Sequence, residues 1–166
     1  MDTLWAPWRI DYIKGSKPVG CIFCACLNVE DDEENLVVHR GSRCFVILNR
    51  YPYTNGHLMV VPFIHEPTIE TLDMETLVEL MGLTRLSLAV LRNAMHPGGF
   101  NIGINQGEAA GAGVADHVHL HVVPRWAGDT NFMPVLSETR VMPQSLESVY
   151  QLLARGFALE RPAPGK

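Results

Sequence analysis

No block of Lys or Arg occurs anywhere in these 166 residues: 13 basic side chains are scattered among 18 acidic ones, for a formal charge of −5. A chain without a positive stripe has no sequence-independent grip on a nucleic acid polymer. No uninterrupted apolar run approaches the roughly 18 residues of a membrane span. The opening Met-Asp-Thr-Leu-Trp-Ala-Pro-Trp-Arg has no basic segment leading into an apolar one. The expectation is a cytoplasmic protein that meets neither membrane nor polymer. Cysteine is scarce as well: Cys21, Cys24 and Cys26 crowd together, Cys44 stands apart, and with no export signal a disulfide framework is not expected. Repeats and low-complexity stretches are absent. The 47% of hydrophobic residues suffices for one core and a single domain over residues 1–166, because a chain near 150 residues buries roughly 70% of its unfolded surface. Folding therefore requires no metal, and any metal site must be argued from its own residues. A small anionic partner stays open, since a few histidines, arginines and backbone N–H groups can hold phosphate on an acidic protein.

Residues 35–40 and 43–49 read as strands rich in Val, Ile and Phe, joined by a hairpin turn at Gly41-Ser42. After a turn through Pro52 and Asn55-Gly56, residues 57–62 read as a third strand stopped by Pro62. From about Ile69 to Met95 the apolar spacing becomes helical, with Leu77, Met81, Leu88, Leu91 and Met95 on one face, and Pro97-Gly98-Gly99 ends it. Residues 100–105 and 117–124 read as two more strands, separated by a Gly/Ala-rich loop. A last helix over 145–155 has Ser145 as its cap and Gly156 as its stop. The order β-β-β-α-β-β-α with tight turns predicts an α+β fold: an antiparallel sheet of about five strands, with one long helix and a C-terminal helix packed on it.

The chemistry concentrates in Asp116-His-Val-His-Leu-His-Val-Val-Pro124. On a strand, alternation places His117, His119 and His121 on one face and Val118, Leu120 and Val122 on the other. Imidazole suits nucleophilic attack and proton transfer near neutral pH, with a reference pKa of roughly 6.5 and two distinct nitrogens. In such a row one ring can attack phosphorus while its neighbours fix its tautomer and stabilise developing negative charge. His57, after Asn55-Gly56, is a candidate fourth member. The loop Gln106-Gly-Glu-Ala-Ala-Gly-Ala-Gly113 lacks the Lys-Ser/Thr ending of a Walker loop. Beside the histidines its small residues offer backbone N–H groups to a phosphate.

His-Val-His-Leu-His-Val-Val-Pro-Arg resembles the signature of the histidine triad (HIT) nucleotide-binding proteins, which hydrolyse or transfer nucleotides. The resemblance also takes in Leu48-Asn-Arg-Tyr-Pro-Tyr-Thr-Asn-Gly-His57 and Asn105-Gln-Gly107, a core of about residues 21–126. Trp5-Ala-Pro-Trp-Arg9, Tyr12 and Pro124-Arg-Trp-Ala-Gly-Asp-Thr-Asn-Phe-Met133 are similar to the diadenosine tetraphosphate phosphorylase branch. The resemblance implies a HIT-like fold, a homodimer and His119 as nucleophile. His119 would form a nucleotidyl-histidine that orthophosphate or water then cleaves, with His57, His117 and His121 contacting phosphate or tuning it. It implies Asn49 at the ribose and Asn105 at phosphate or leaving group, with Gln106, Gly107, Gly111 and Gly113 lining the phosphate cradle. Relatives often carry a hydroxyl or amide between the glycine loop and the triad. Gly107 to Asp116 contains no Ser, Thr, Asn or Gln, so backbone N–H groups must serve, and the choice between the two acceptors stays open. Arg125 is read as a phosphate contact or an ordinary surface arginine; Trp126, with Trp5 and Trp8, as core, dimer contact or base-stacking surface.

Cys21-x-x-Cys24 is similar to the zinc knuckle of part of the family, completed there by positions that here are His65 and His117. Two thiolates and two imidazoles form a closed, structural set for zinc. The other reading of the pair is two reduced thiols in a turn. His39 and His96 are read as surface residues. A divalent cation accompanying the nucleotide is a further expectation. The substrate is read as a dinucleoside polyphosphate split with orthophosphate. Alternatives are hydrolysis of such nucleotides or of nucleoside phosphoramidates, a metal-dependent hydrolase using His117 and His119, and a nucleotide sensor without turnover.

Overall fold

The computed structural model describes residues 20–28, 31–129 and 142–160. A short helix, α1 (Ile22–Leu27), precedes three strands, β1 (Val37–Arg40), β2 (Cys44–Leu48) and β3 (Leu58–Pro62). Then come the long helix α2 (Met74–Met95), strands β4 (Gly99–Ile104) and β5 (Leu120–Arg125), and the C-terminal helix α3 (Leu146–Leu159). The five strands form one antiparallel sheet in the order β1-β2-β3-β5-β4. The expected α+β architecture is therefore present, with α1 as an unanticipated addition. Among the described residues no helix is long and apolar enough to cross a membrane.

Every residue of β2 and β3 is buried, so the middle of the sheet is covered on both faces. α2 packs on β2, β3 and β5, while α3 packs on α2 and β1. At the Gly41-Ser42 hairpin the Gly41 N–H donates to the Cys44 carbonyl at 2.8 Å. The turn is tied to α2 by Glu79, whose carboxylate accepts from the Ser42 and Arg43 N–H groups at 2.6 and 3.1 Å. Asp73 caps α2 by accepting from the Thr76 N–H at 2.7 Å, and His96, in the left-handed region at φ 50°, closes it before Pro97.

Several boundaries and faces differ from expectation. β1 begins at Val37 because residues 32–36 form turns ending at Leu36, φ 62°. β5 begins at Leu120, three residues late. The buried face of α2 is Thr76, Leu80, Leu83, Thr84, Ser87, Val90 and Leu91, rotated from the predicted stripe, and Met81 is 52% exposed. Two hydroxyls disguised the true face: Thr84 and Ser87 donate back to the Leu80 and Leu83 carbonyls at 2.8 Å and so bury without outside partners. The helix thus carries a second apolar side, on which Met74, Val78 and Met81 are exposed. Gly156 does not stop α3, which runs to Leu159. A Cβ there would come within 2.7 Å of Val90 Cγ1, so this glycine lets α2 and α3 approach. His39 is half-buried, stacked on Phe157 with ring centroids 5.4 Å apart, rather than a plain surface residue.

Candidate functional site

β5 lies between β3 and β4, and its register sets His121 opposite Met59 on one side and Gly103 on the other. Paired residues of antiparallel strands project to the same face. Gly103 leaves that flank of His121 open, since a Cβ placed on it would meet nothing within 4 Å. The turn before β3 brings in His57. Its N–H donates to the Thr54 carbonyl at 3.2 Å, and the Thr54 hydroxyl donates to the Pro124 carbonyl at 2.8 Å, pinning the turn on β5.

The bonds of each imidazole dictate its tautomer, because an N–H can only donate and a carbonyl only accept. His57 Nδ1 accepts from the Tyr53 N–H at 3.1 Å, so its proton is on Nε2, which donates to His121 Nδ1 at 2.9 Å. His121 in turn keeps its proton on Nε2. His119 Nδ1–H donates to the His117 carbonyl at 2.9 Å, which leaves His119 Nε2 with a lone pair. The rings of His119 and His121 meet edge to face at 4.8 Å. Burial holds both below the ordinary histidine range, His121 at about 4, so both are neutral at pH 7. One neutral acceptor nitrogen beside one N–H donor suits nucleophilic attack on phosphorus together with hydrogen bonding to the leaving oxygen as charge develops there.

The predicted row of three divides. His117, fully buried, donates from Nε2–H to the Pro62 carbonyl at 2.9 Å and turns Nδ1 toward Cys21 Sγ at 3.3 Å and Cys24 Sγ at 3.7 Å. His65 Nδ1 is 3.3 Å from Cys24 Sγ. The four donor atoms lie within 4.8 Å of one another. Bonds of roughly 2.3 Å to sulfur and 2.0–2.1 Å to nitrogen put tetrahedral zinc ligands about 3.6 Å apart, so this soft donor set fits a structural zinc. His65 Nε2 also faces the Asp116 carboxylate at 3.6 Å, an outer partner of the kind that orients a ligating imidazole. Cys26 and Cys44 are core residues, and burial pushes the Cys44 thiol up to about 12.

Asn49 adjoins His57, with Nδ2 3.3 Å from His57 Nδ1 and Oδ1 accepting from the Tyr51 N–H at 2.9 Å. Asn105 directly follows Ile104, the partner of Leu120, at the end of β4 nearest the start of β5. Gln106 is tied at both ends of its amide: Oε1 accepts from the Ile69 N–H at 3.1 Å and Nε2 donates to the Glu70 carboxylate at 3.0 Å. Gly107 and Gly111 adopt φ 83° and 82°, a backbone that glycine takes without strain, and Gly113 is exposed. Arg125 and Trp126 lie at the far end of β5, about 13 Å along the strand from His121. Arg125 is engaged by Asp129 at 2.6 and 2.8 Å and by Asn101 at 2.7 Å. The Trp126 indole N–H donates to the Met95 carbonyl at 3.2 Å. Trp5, Trp8, Arg9, Tyr12 and residues 130–133 lie outside the described residues.

Two residues at the site escaped sequence reasoning. Tyr53 lays its ring over His57, 4.6 Å between centroids, and Phe23 lies 5.4 Å from His117 and 5.0 Å from His119. Phe23 falls inside the Cys-x-x-Cys spacing, the one signal that pointed to it.

Comparison with known proteins agrees with this geometry. Residues 30–128 match the HIT domain family model. The chain is 41% identical to the AP-4-A phosphorylase of Mycobacterium tuberculosis over 95% of its own length and 85% of that protein. A zinc-bound histidine triad family protein from Mycobacterium smegmatis superposes with a TM-score of 0.67 at 30% identity, covering 84% of this chain and 94% of that one. A histidine triad nucleotide-binding protein from Sulfolobus tokodaii gives the same TM-score at 25% identity, covering 84% and 93%. With the histidine-bearing strand, the Cys/His cluster and the fold all in agreement, the chain belongs to the HIT family.

Proposed function

We propose that this protein, acting as a single domain over residues 1–166, is a diadenosine tetraphosphate phosphorylase. His119 Nε2 attacks the α-phosphorus, forming a P–N bond as the bond to the leaving oxygen breaks and ATP departs. His121 Nε2–H donates a hydrogen bond to that oxygen as negative charge develops there, and ATP leaves as the phosphate anion with the proton staying on the ring. Orthophosphate then attacks the nucleotidyl-histidine, releasing ADP and restoring the His119 lone pair. The observation that carries this reading is the paired tautomers, an acceptor at His119 Nε2 beside a donor at His121 Nε2. Asn49 meets the ribose, Asn105 the phosphate or leaving group, and the Gly107–Gly113 backbone the phosphates. Arg125 and Trp126 reach a distal part of the dinucleotide. Zinc at Cys21, Cys24, His65 and His117 is structural: four protein donors fill a tetrahedron that includes His117 and leaves out His119, which disfavours the metal-hydrolase alternative. A divalent cation travels with the polyphosphate.

The working form is a cytoplasmic homodimer. Exposed Asn101, Ile102 and Gly103 on the β4 edge and the second apolar side of α2 both call for a partner surface. The test of function is incubation with diadenosine tetraphosphate with and without orthophosphate, followed by separation of the nucleotides. ADP with ATP only in the presence of phosphate supports the phosphorylase; AMP with ATP in water would replace it with the hydrolase. His119→Ala should lower turnover at least about a thousandfold with nucleotide binding retained, and near-normal cleavage by that variant would end the nucleophile account.

A further inference from the structure

Residues 117–119 lie outside the sheet ladder. Pairing of β5 with both neighbours begins at Leu120, opposite Val60 and Ile104, so the backbone carrying His119 is not held by the strand hydrogen bonds that fix His121. What holds it is one side-chain bond to β3, from His117 Nε2–H to the Pro62 carbonyl at 2.9 Å, and otherwise contacts from the metal-ligand segments. His117 faces the two thiols through Nδ1. The Val118 N–H donates to the carbonyl of Glu66, the residue after His65, at 2.7 Å. Phe23, carried between Cys21 and Cys24 and only 1% exposed, sets its ring edge-on to His117 at 74° and against His119 at 51°. The His117 carbonyl, fixed in this way, is the acceptor that selects the His119 tautomer.

We infer that the Cys21/Cys24/His65/His117 cluster is a positioning device for the nucleophile, with Phe23 as the positioning residue that transmits it. A metal bound there locks residues 117–119 in place of the missing ladder, so its occupancy governs the pose of His119 Nε2 and not only the melting temperature. Asn49 and His57, on the turn between β2 and β3, are fixed independently, so substrate affinity stays largely outside this control. The inference rests on His119 being the nucleophile, as proposed above.

The test uses the full chain. Phe23→Leu, loaded with zinc, is compared with wild type in a rapid-quench assay of nucleotidyl-enzyme formation at saturating diadenosine tetraphosphate, together with its KM and zinc content. Misplacement by about 1 Å costs on the order of a hundredfold. The expected result is one zinc per chain, KM within about twofold of wild type, and a transfer rate lowered roughly 10- to 100-fold. A wild-type transfer rate in this variant, or a raised KM with unchanged rate, overturns the inference; the second outcome would place Phe23 against the nucleotide. An independent arm needs no substrate and no substitution. Imidazole 15N–1H spectra of wild type at one fixed pH should show His119 as a single Nδ1–H tautomer with zinc and as an exchanging pair after chelation. His57 and His121 should keep their tautomers as internal controls. A His119 pattern unmoved by chelation overturns the inference. If wild type forms no nucleotidyl-enzyme, the catalytic reading fails, and the spectra still decide the positioning question.

Discussion

Acidification tests the site most directly, through His121. Burial lowers this imidazole to about 4, against roughly 6.5 in an unfolded chain. As the pH falls, the unfolded chain takes up the proton first. The stability contributed by the neutral buried ring is therefore whole above about pH 6.5 and is lost progressively as the pH falls toward 4. Integrated to pH 4.5, the loss is about 2–3 kcal/mol. The perturbation is His121→Gln, which removes the titration and keeps an oxygen able to accept from His57 Nε2–H. The assay is urea unfolding of both proteins at pH 7.5 and 4.5. Burial lowers His117 and His119 in the same direction, but they are present in both proteins and cancel in the difference. Wild type should lose about 2–3 kcal/mol more than His121→Gln between the two pH values. Equal losses would refute the claim that His121 is held neutral by burial.

Three further outcomes are expected. Gly156→Ala should lower stability by about 1 kcal/mol, because overpacking against stiff Val90 at 2.7 Å outweighs the helix-propensity gain; a higher melting temperature would refute the close-approach role of this glycine. Glu79→Ala should cost about 1–3 kcal/mol in chemical denaturation by leaving the hairpin N–H groups at Ser42 and Arg43 without their carboxylate, with turnover unchanged, and a loss below about 0.3 kcal/mol would count against this anchor. Chelation of a zinc-loaded sample should lower the melting temperature, and re-addition of zinc should restore it, whereas no shift would argue that the cluster does not hold metal in solution.

Period-two alternation makes the central strand and its histidines readable, and turn chemistry at Gly41-Ser42 and Asn55-Gly56 brings out the hairpin and the approach to His57. Alternation alone put all three rings on one face; only the zinc-knuckle resemblance set His117 apart as a ligand, because the division depends on where the ladder stops. That stop is decided by long-range pairing of Leu120 with Val60 and Ile104. The face of α2 was misjudged because periodicity arguments count hydroxyls as polar, while Thr84 and Ser87 satisfy themselves on their own helix. Gly156 shows the same limit, since its usual local meaning as a stop gave way to a contact with Val90, 66 residues earlier in the chain. Phe23 looked like filler between two cysteines until the fold placed it against two imidazoles.

The strand order has a consequence for how the protein is made. Among the described residues β5 is the last strand in the sequence yet second from the edge of the sheet, and β4 pairs with β5 alone. During synthesis, β1 to β3 and α2 can assemble as they emerge, but β4 must wait unpaired until residue 125 is available. β5 must also pair with β3, across a separation of about 60 residues along the chain, and closing such a non-local pairing is the slow kind of folding event. The histidines are thus delivered together with the strand that completes the sheet. A nascent chain that has not reached β5 presents His57 and Asn49 but neither His119 nor His121, so the nucleophile and its neighbouring donor arrive only with the strand that completes the sheet.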